Sequence, residues 1–407
     1  MFCNQKNKIT LSAFAHHPTP MRFLLQLLEK IQIGTLTIVF SQSAEKHVFA
    51  GQQPGPHGTL IINDDSVAKR LLFGGMLGFN EAYDDGLCDS PNLDDFFQVI
   101  LVNEHALNDP LLGSKIYRFG TWLVHKLRPN TKRGARKNIA QHYDLGNKFY
   151  ELWLDASMTY SSAVFAHQGQ SLFDAQQNKY QKLVELLHIS AQSKVLEIGC
   201  GWGGFAEYVA KNVGAHVHAI TISQEQHDYA VARIAKANLV DKVTIELRDY
   251  RDLTGQYDAV ASIEMFEAVG EKYWPTYFET LKKCLKPQGY VGLQIITIED
   301  HRFPLYRKTP DYIQKYIFPG GMLPCDAVLK HHVRHAGLKW LECHSYGQHY
   351  ADTLRVWKKD FEVAWPTIEL LGFDARFKRM WTQYFDYCAA GFTCGNIDVV
   401  QLALQRV

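Results

Sequence analysis

The sequence predicts an α/β protein, a Rossmann-like parallel sheet layered with helices, preceded by a small α+β domain. Three observations predict it. From residue 139 onward, short β-branched runs alternate with helical patterns, which indicates βαβ units. One such run, SKVLEI, leads directly into the loop Gly199-Cys200-Gly201-Trp202-Gly203-Gly204 and then a helix. The first hundred residues mix strand and helix patterns and show no catalytic spacing.

At 407 residues the chain is long enough for two or three domains, at roughly 150 residues each. A hydrophobic share of 46% supports a sizeable core. Lys and Arg number 43 against 42 acids, a formal charge of +1, so bulk charge points to no nucleic-acid partner. The 8 cysteines are scattered, which suits a reducing cytoplasm and argues against a disulfide scaffold or structural zinc. In the leader, the apolar stretch Ile9 to Ala15 runs into His16-His17-Pro18 without a good cleavage context, which argues against a signal peptide. No run approaches the ~20 apolar residues of a spanning helix.

Within an N-terminal domain at residues 1–109, MRFLLQLLEKI reads as an amphipathic helix and GTLTIVF and GTLIIN as strands. DDSVAKRLLFGG reads as a short helix ended by its glycines. Residues 110–138 form a basic amphipathic linker. No acid occurs between Asp109 and Asp144, while Lys115, Arg118, Lys126, Arg128, Lys132, Arg133, Arg136 and Lys137 accompany a stripe of Ile116, Phe119, Leu123 and Leu127. This pattern predicts docking to an anionic membrane surface, at about 1 kcal/mol per basic residue. The alternative is that the stripe packs on the next domain. The catalytic domain spans 139–407, with strands at KVLEI, AHVHAITIS, KVTIELRDY, QYDAVASIEMF and YVGLQIITI. PTYFETLKKCLKPQG reads as a helix closed by Pro287 and Gly289, and the tail from Asp311 is mixed in pattern.

The loop satisfies G-x-G-x-x-G through Gly199, Gly201 and Gly204, a turn shared by dinucleotide and S-adenosylmethionine sites. Two details favour S-adenosylmethionine. Glu197 stands at the strand end, placed to orient a ligand's charged groups. The next strand ends Thr221-Ile222-Ser223, without the ribose-binding acid of an NAD site. Asp249 and Tyr250 follow the third strand, where an acid reaches adenine N6 and a ring packs on the base.

Several segments together, QHYDLGNKFYELWLDASMTYSSAVFA, VLEIGCGWGGFAEYVA, ITISQEQ, LRDYRDL, SIEMFEAVGEKYWPTYF and YIQKYIFPGGMLPC, resemble the cyclopropane-fatty-acyl-phospholipid synthase family. The resemblance covers roughly residues 139–360 and, more loosely, the N-terminal domain. It implies a class I methyltransferase core with a mixed, mostly parallel seven-stranded sheet. It also implies S-adenosylmethionine as donor and membrane phospholipids with cis-unsaturated acyl chains as substrate. A cyclopropane ring would form through a carbocation deprotonated by bound bicarbonate. The cofactor contacts it carries over are Tyr160, Ser161, Gly199, Gly201, Thr221, Gln226, Asp249 and Tyr250.

For the bicarbonate pocket the resemblance implies Glu267 and Tyr350, with departures elsewhere. Ser162 stands where the family has Cys, and Gln294 where it has His, with Ile296 at the Ile position. Ser and Gln still donate hydrogen bonds to an anion, but Gln cannot become cationic. An aromatic stock that includes Tyr160, Phe266 and Phe318 is suited to a dry cavity for a cation. Two rivals stay open: methyl branching or small-amine N-methylation on the same core, and a non-catalytic lipid-binding protein. No spacing suggests a bound metal. The expected location is cytoplasmic, peripheral to the inner face of the membrane. The oligomeric state stays open, a homodimer among the options.

Overall fold

The computed structural model describes residues 14–111, 134 and 145–407. It resolves into two units, each with its own core. Most of the basic linker at 110–138 lies outside the described residues.

The first unit holds a four-stranded sheet of β1 (Ile33–Phe40), β2 (Lys46–Ala50), β3 (Gln53–Ile62) and β4 (Cys88–Asp89), in the order β2-β1-β3-β4. β1 buries every second side chain, as a strand with one covered face must. Leu36 and Ile38 from β1 join Leu24, Leu25 and Leu28 of the helix Thr19–Leu28 in one apolar cluster. The helix that starts at Ser66 breaks at its glycines, where Gly75 takes a non-helical φ of 63° and ψ of −152° that an L residue rarely adopts, and a second helical stretch runs on to Asp84. Residues 309–312 and 373–394, which the sequence boundaries assign to the catalytic domain, belong to this unit. Buried polar contacts explain it. Tyr312 donates its hydroxyl to both carboxylate oxygens of Asp84 at 3.0 Å, and Gln383, on the helix Ala375–Thr393, donates to Asp84 at 3.3 Å. Burial pushes the Asp84 carboxyl up to about 7.

The second unit is built on a seven-stranded sheet of β5 (Lys194–Ile198), β6 (His216–Thr221), β7 (Val243–Leu247), β8 (Tyr257–Ile263), β9 (Leu285–Ile298), β10 (Leu338–Ser345) and β11 (Ile397–Arg406). Its order is β10-β11-β9-β8-β5-β6-β7. β5 through β9 pair in parallel, while β11 slots antiparallel between β9 and β10. Side chains alternate across it. Leu196, Ile198 and Val260 face one apolar cluster, and Val195, Ala259 and Ala261 the other. The helix before β9 ends at Cys284, earlier than its pattern suggests, because the chain turns extended at Leu285 ahead of Pro287. The mixed tail yields β10, the helix Gly347–Leu370 and β11. Among the described residues, no helix is long and apolar enough to cross a membrane.

Candidate active site

The carboxyl ends of parallel strands open one rim of the second sheet, the usual ligand position in such folds. At the end of β5 the chain turns through Gly199 at φ 83°, Gly201 at φ 52° and Gly203 at φ 83° into the helix Gly204–Tyr208. A Cβ at Gly199 would lie 2.7 Å from the Met265 side chain, so this position is closed to any larger residue. A Cβ at Gly201 would meet nothing within 4 Å, which leaves open space where a ligand approaches the backbone. Two buried polar atoms near this turn, Glu197 Oε2 and the Tyr250 hydroxyl, have no protein partner among the described residues. Buried polar groups normally have one, so both fit a polar ligand. Burial pushes the Glu197 carboxyl up to about 8, against the opposing pull of the Ala206 N–H and of Arg233.

The other expected cofactor residues are each held by protein partners. Thr221, at the end of β6, donates to Gln226 Oε1 at 2.9 Å, and Ser223 caps the following helix. Asp249 accepts from Arg251 through both carboxylate oxygens, at 2.8 and 2.6 Å. Ser161 Oγ accepts from Lys179 Nζ at 2.5 Å. The Tyr160 ring sits among Tyr150, Trp153, Trp357 and Phe318, with centroids 5.1 to 6.2 Å away. These residues fit the cofactor: a polar cradle on the glycine turn beside an aromatic enclosure.

Of the residues expected to hold bicarbonate, Ser162, Gln294 and Tyr350 come together, but they converge on a side chain of the protein, while Glu267 pairs with Ile296. Glu264 follows β8 directly. Its Oε1 accepts from the Ser162 backbone N–H and from Gln294 Nε2, each at 2.7 Å, and its Oε2 accepts from the Tyr350 hydroxyl at 2.6 Å. Glu264 holds this position at φ 99°, a backbone conformation costing a non-glycine residue about 1–3 kcal/mol. Gln294 is fixed from behind, its Oε1 accepting from Gln401 Nε2 at 3.0 Å. Ser162 takes part through its backbone, since its hydroxyl donates to the Ala163 carbonyl. Glu267 stands apart from that cluster, with Oε1 accepting from the Ile296 N–H at 2.6 Å and Oε2 buried without a partner.

Glu264 weighs against a bicarbonate ion held by the same donors. Those donors already bind a carboxylate, and a second anion there would face Glu264 without a cationic His to offset the repulsion. Burial raises the Glu264 pKa, and Tyr350 and Lys179 work against the rise. Burial, with Glu264 nearby, pushes Glu267 up to about 8. Lys179 is fully buried, and that burial brings it down to about 7.

Sequence reasoning missed Glu264 and Lys179. Glu264 sits in the very segment SIEMFEAVG, three residues before Glu267. Lys179 interrupts the buried face of the helix Leu172–Leu186, between Ala175 and Leu183 at i±4 spacing, where a charge needs a reason.

Together the fold and site define a class I S-adenosylmethionine-dependent methyltransferase. A family model described as mycolic acid cyclopropane synthetase matches residues 130–402. The chain belongs to that family. It is 38% identical to the tuberculostearic acid methyltransferase UfaA1 of Mycobacterium tuberculosis, over 87% of this chain and 84% of that protein. It is 36% identical to the cyclopropane-fatty-acyl-phospholipid synthase of Escherichia coli K12, over 85% of this chain and 87% of that one. Among solved structures, the mycolic acid cyclopropane synthase CmaA1, complexed with SAH and CTAB, superposes with a TM-score of 0.63. The identity is 26%, over 66% of this chain and 98% of that one.

Proposed function

We propose that this protein transfers a methyl group from S-adenosylmethionine to the cis double bond of a membrane phospholipid acyl chain. We further propose that Glu264 removes the proton whose loss closes a cyclopropane ring. The carrying observation is the Glu264 carboxylate, held by Ser162, Gln294 and Tyr350 where an external anion was expected. The names of the E. coli relative and of the CTAB-bound synthase support a lipid substrate.

The cofactor supplies an electrophilic sulfonium methyl. Gly199, Gly201, Glu197, Thr221, Gln226, Asp249 and Tyr250 would hold it. The double bond's electron pair would form the bond to that methyl as the sulfur–methyl bond breaks, its pair leaving with the sulfur of S-adenosylhomocysteine, and an electron-deficient carbon would remain on the acyl chain. Tyr160, Trp357 and Phe318 exclude water, which would otherwise trap that cation as an alcohol, and their ring faces favour positive charge. Glu264 Oε2 then accepts a proton from the new methyl, and the released C–H pair forms the third ring bond. A raised pKa suits this carboxylate to the task. Buried Glu267, protonated below about 8, adds no second negative charge beside it.

A second reading, methyl transfer without ring closure, is favoured by Gln294 at the His position and by the name of the M. tuberculosis relative. Lipid analysis after expression in a host lacking cyclopropane chains tests both. One added CH2 with the alkene replaced by a ring supports the first, and an added CH2 in a branched chain selects the second. No added carbon overturns both. Activity unchanged in bicarbonate-depleted buffer supports Glu264 as the base, while strict dependence on added bicarbonate removes it from that role.

The basic linker is the proposed membrane-docking element, on the inner face of the cell membrane. Replacing Arg133, Arg136 and Lys137 with Glu should weaken binding to anionic vesicles, more at low salt than at high. Unchanged binding would eliminate the electrostatic contribution.

A further inference from the structure

In the first unit, far along the chain from any residue assigned above, three imidazoles gather around one carboxylate. Glu45 lies in the turn between β1 and β2. His16 Nε2 is 3.1 Å from Glu45 Oε1 and 3.0 Å from Oε2. His17 Nε2 is 3.4 Å from Oε2, and His47 Nε2 is 2.8 Å from Oε1. The ligand atoms of His16, His17 and Glu45 all lie within 4.8 Å of one another. We propose that His16, His17 and Glu45 bind a divalent transition-metal ion, zinc by the chemistry of the donors, with His47 fixing the Glu45 carboxylate from outside.

Two observations support a ligand here. The His17 side chain is only 7% exposed, and its Nε2 has no hydrogen-bond partner among the described residues. A buried ring nitrogen whose nearest acid, Glu45 Oε2 at 3.4 Å, does not hydrogen-bond it is costly, and a metal bond would satisfy it. The second is spacing. Zinc bonds of about 2.0–2.1 Å to imidazole and carboxylate put tetrahedral neighbours about 3.3 Å apart. Observed separations of 3.0 and 3.4 Å already match that edge. Two His and one Glu form a set that zinc accepts, leaving a fourth position for water or another ligand. His16 is 57% exposed at its side chain, so an ion has a path in from solvent. His47 has the role of an outer partner that orients a ligating carboxylate.

Such an ion would tie His16 and His17, just ahead of the helix Thr19–Leu28, to a hairpin 29 positions after His16. Because it binds only the folded arrangement, it would raise stability by mass action. The test uses the full-length protein, stripped with chelator and titrated with Zn2+ and then Co2+. The expected result is one tight Zn2+ equivalent and a rise in Tm, both lost in His16→Ala and Glu45→Gln. His47→Gln should weaken the affinity about 10- to 100-fold, as outer-partner changes do. His16 is exposed, so His16→Ala is the variant least exposed to folding defects. The Co2+ form should lack a thiolate charge-transfer band. Equal Zn2+ affinity in the wild type and His16→Ala, or a thiolate band showing that cysteines hold the ion, would overturn the proposal. Methyl transfer should be the same in wild type and His16→Ala.

Discussion

The turn after β5 and the acid cluster after β8 lie on neighbouring strands and solve opposite problems. At the turn, side chains are absent: Gly201 leaves open space and Gly199 has room for nothing beyond hydrogen. At the cluster they are dense and polar, with Glu264, Gln294, Tyr350 and Lys179 all buried or nearly so. The first site is made by one continuous stretch of chain. The second draws on β8, β9, the helix Gly347–Leu370 and the helix Leu172–Leu186. A binding cradle for a large ligand needs space and backbone. Proton transfer needs one carboxylate held still in a medium that raises its proton affinity.

Separating the two by mutation should give the largest effect at Glu264. Glu264→Gln keeps the shape and the bonds to Oε1, reverses the Tyr350 bond because an amide nitrogen can only donate, and removes the proposed base, so it should lower kcat by about 10²- to 10⁴-fold. S-adenosylmethionine affinity, read by calorimetry, should stay near wild type. A parallel loss of affinity would mean that the two regions are one site. Gly201→Val should do the reverse, with binding of the cofactor weakened by about a hundredfold or more, or abolished. A β-branched residue at φ 52° is strained by about 1–2 kcal/mol and fills the approach to the backbone. Normal affinity in that variant would displace the cofactor from the turn.

A third, smaller effect is on stability rather than rate. With Glu267 raised from 4.5 to about 8, the native state holds a proton that the unfolded chain has released throughout that window. Stability contributed at this position is full below pH 4.5 and falls as pH rises toward 8. Glu267→Gln should flatten that fall, measured as the urea midpoint against pH. Matching slopes in the two proteins would show that Glu267 is ionised when folded. The smallest effect is expected at Ser162. Its backbone N–H serves Glu264 while its hydroxyl serves Ala163, so Ser162→Ala should change kcat/KM by no more than about twofold to threefold. A larger loss would show that the hydroxyl takes part in the chemistry.

How far each region was legible follows from how each is made. The glycine turn has fixed spacing along the chain, so Gly199 and Gly201 were readable together with Glu197, as was the alternation of β5 to β9. Gln294 and Tyr350 were grouped through resemblance, and the structure brings both to Glu264. What they bind was not readable, because Glu264 meets them only through a backbone turn at positive φ that no periodicity encodes. Lys179 was legible in principle as a charge on an apolar helix face. Residues 373–394 read as part of the catalytic domain because chain order is a poor guide to packing. Gln383, on that stretch, donates to Asp84 across 299 positions of chain, inside the first unit. The His16–His17–Glu45 group escaped notice for the same reason, since its donors share no short spacing.

The antiparallel placement of β11 bears on the order in which this protein matures. Gln401 positions the Gln294 amide across 107 residues of chain, and Gln294 in turn positions Glu264. Contacts of such long range close late in folding, because the entropy of a long loop must be overcome before they return any energy. Until β11 enters between β9 and β10, the parallel strands and the glycine turn can already stand, but the carboxylate lacks its support. A half-folded chain would thus gain its donor site before its base. On the proposed role of Glu264, competence for methyl transfer would then precede the ability to finish the reaction.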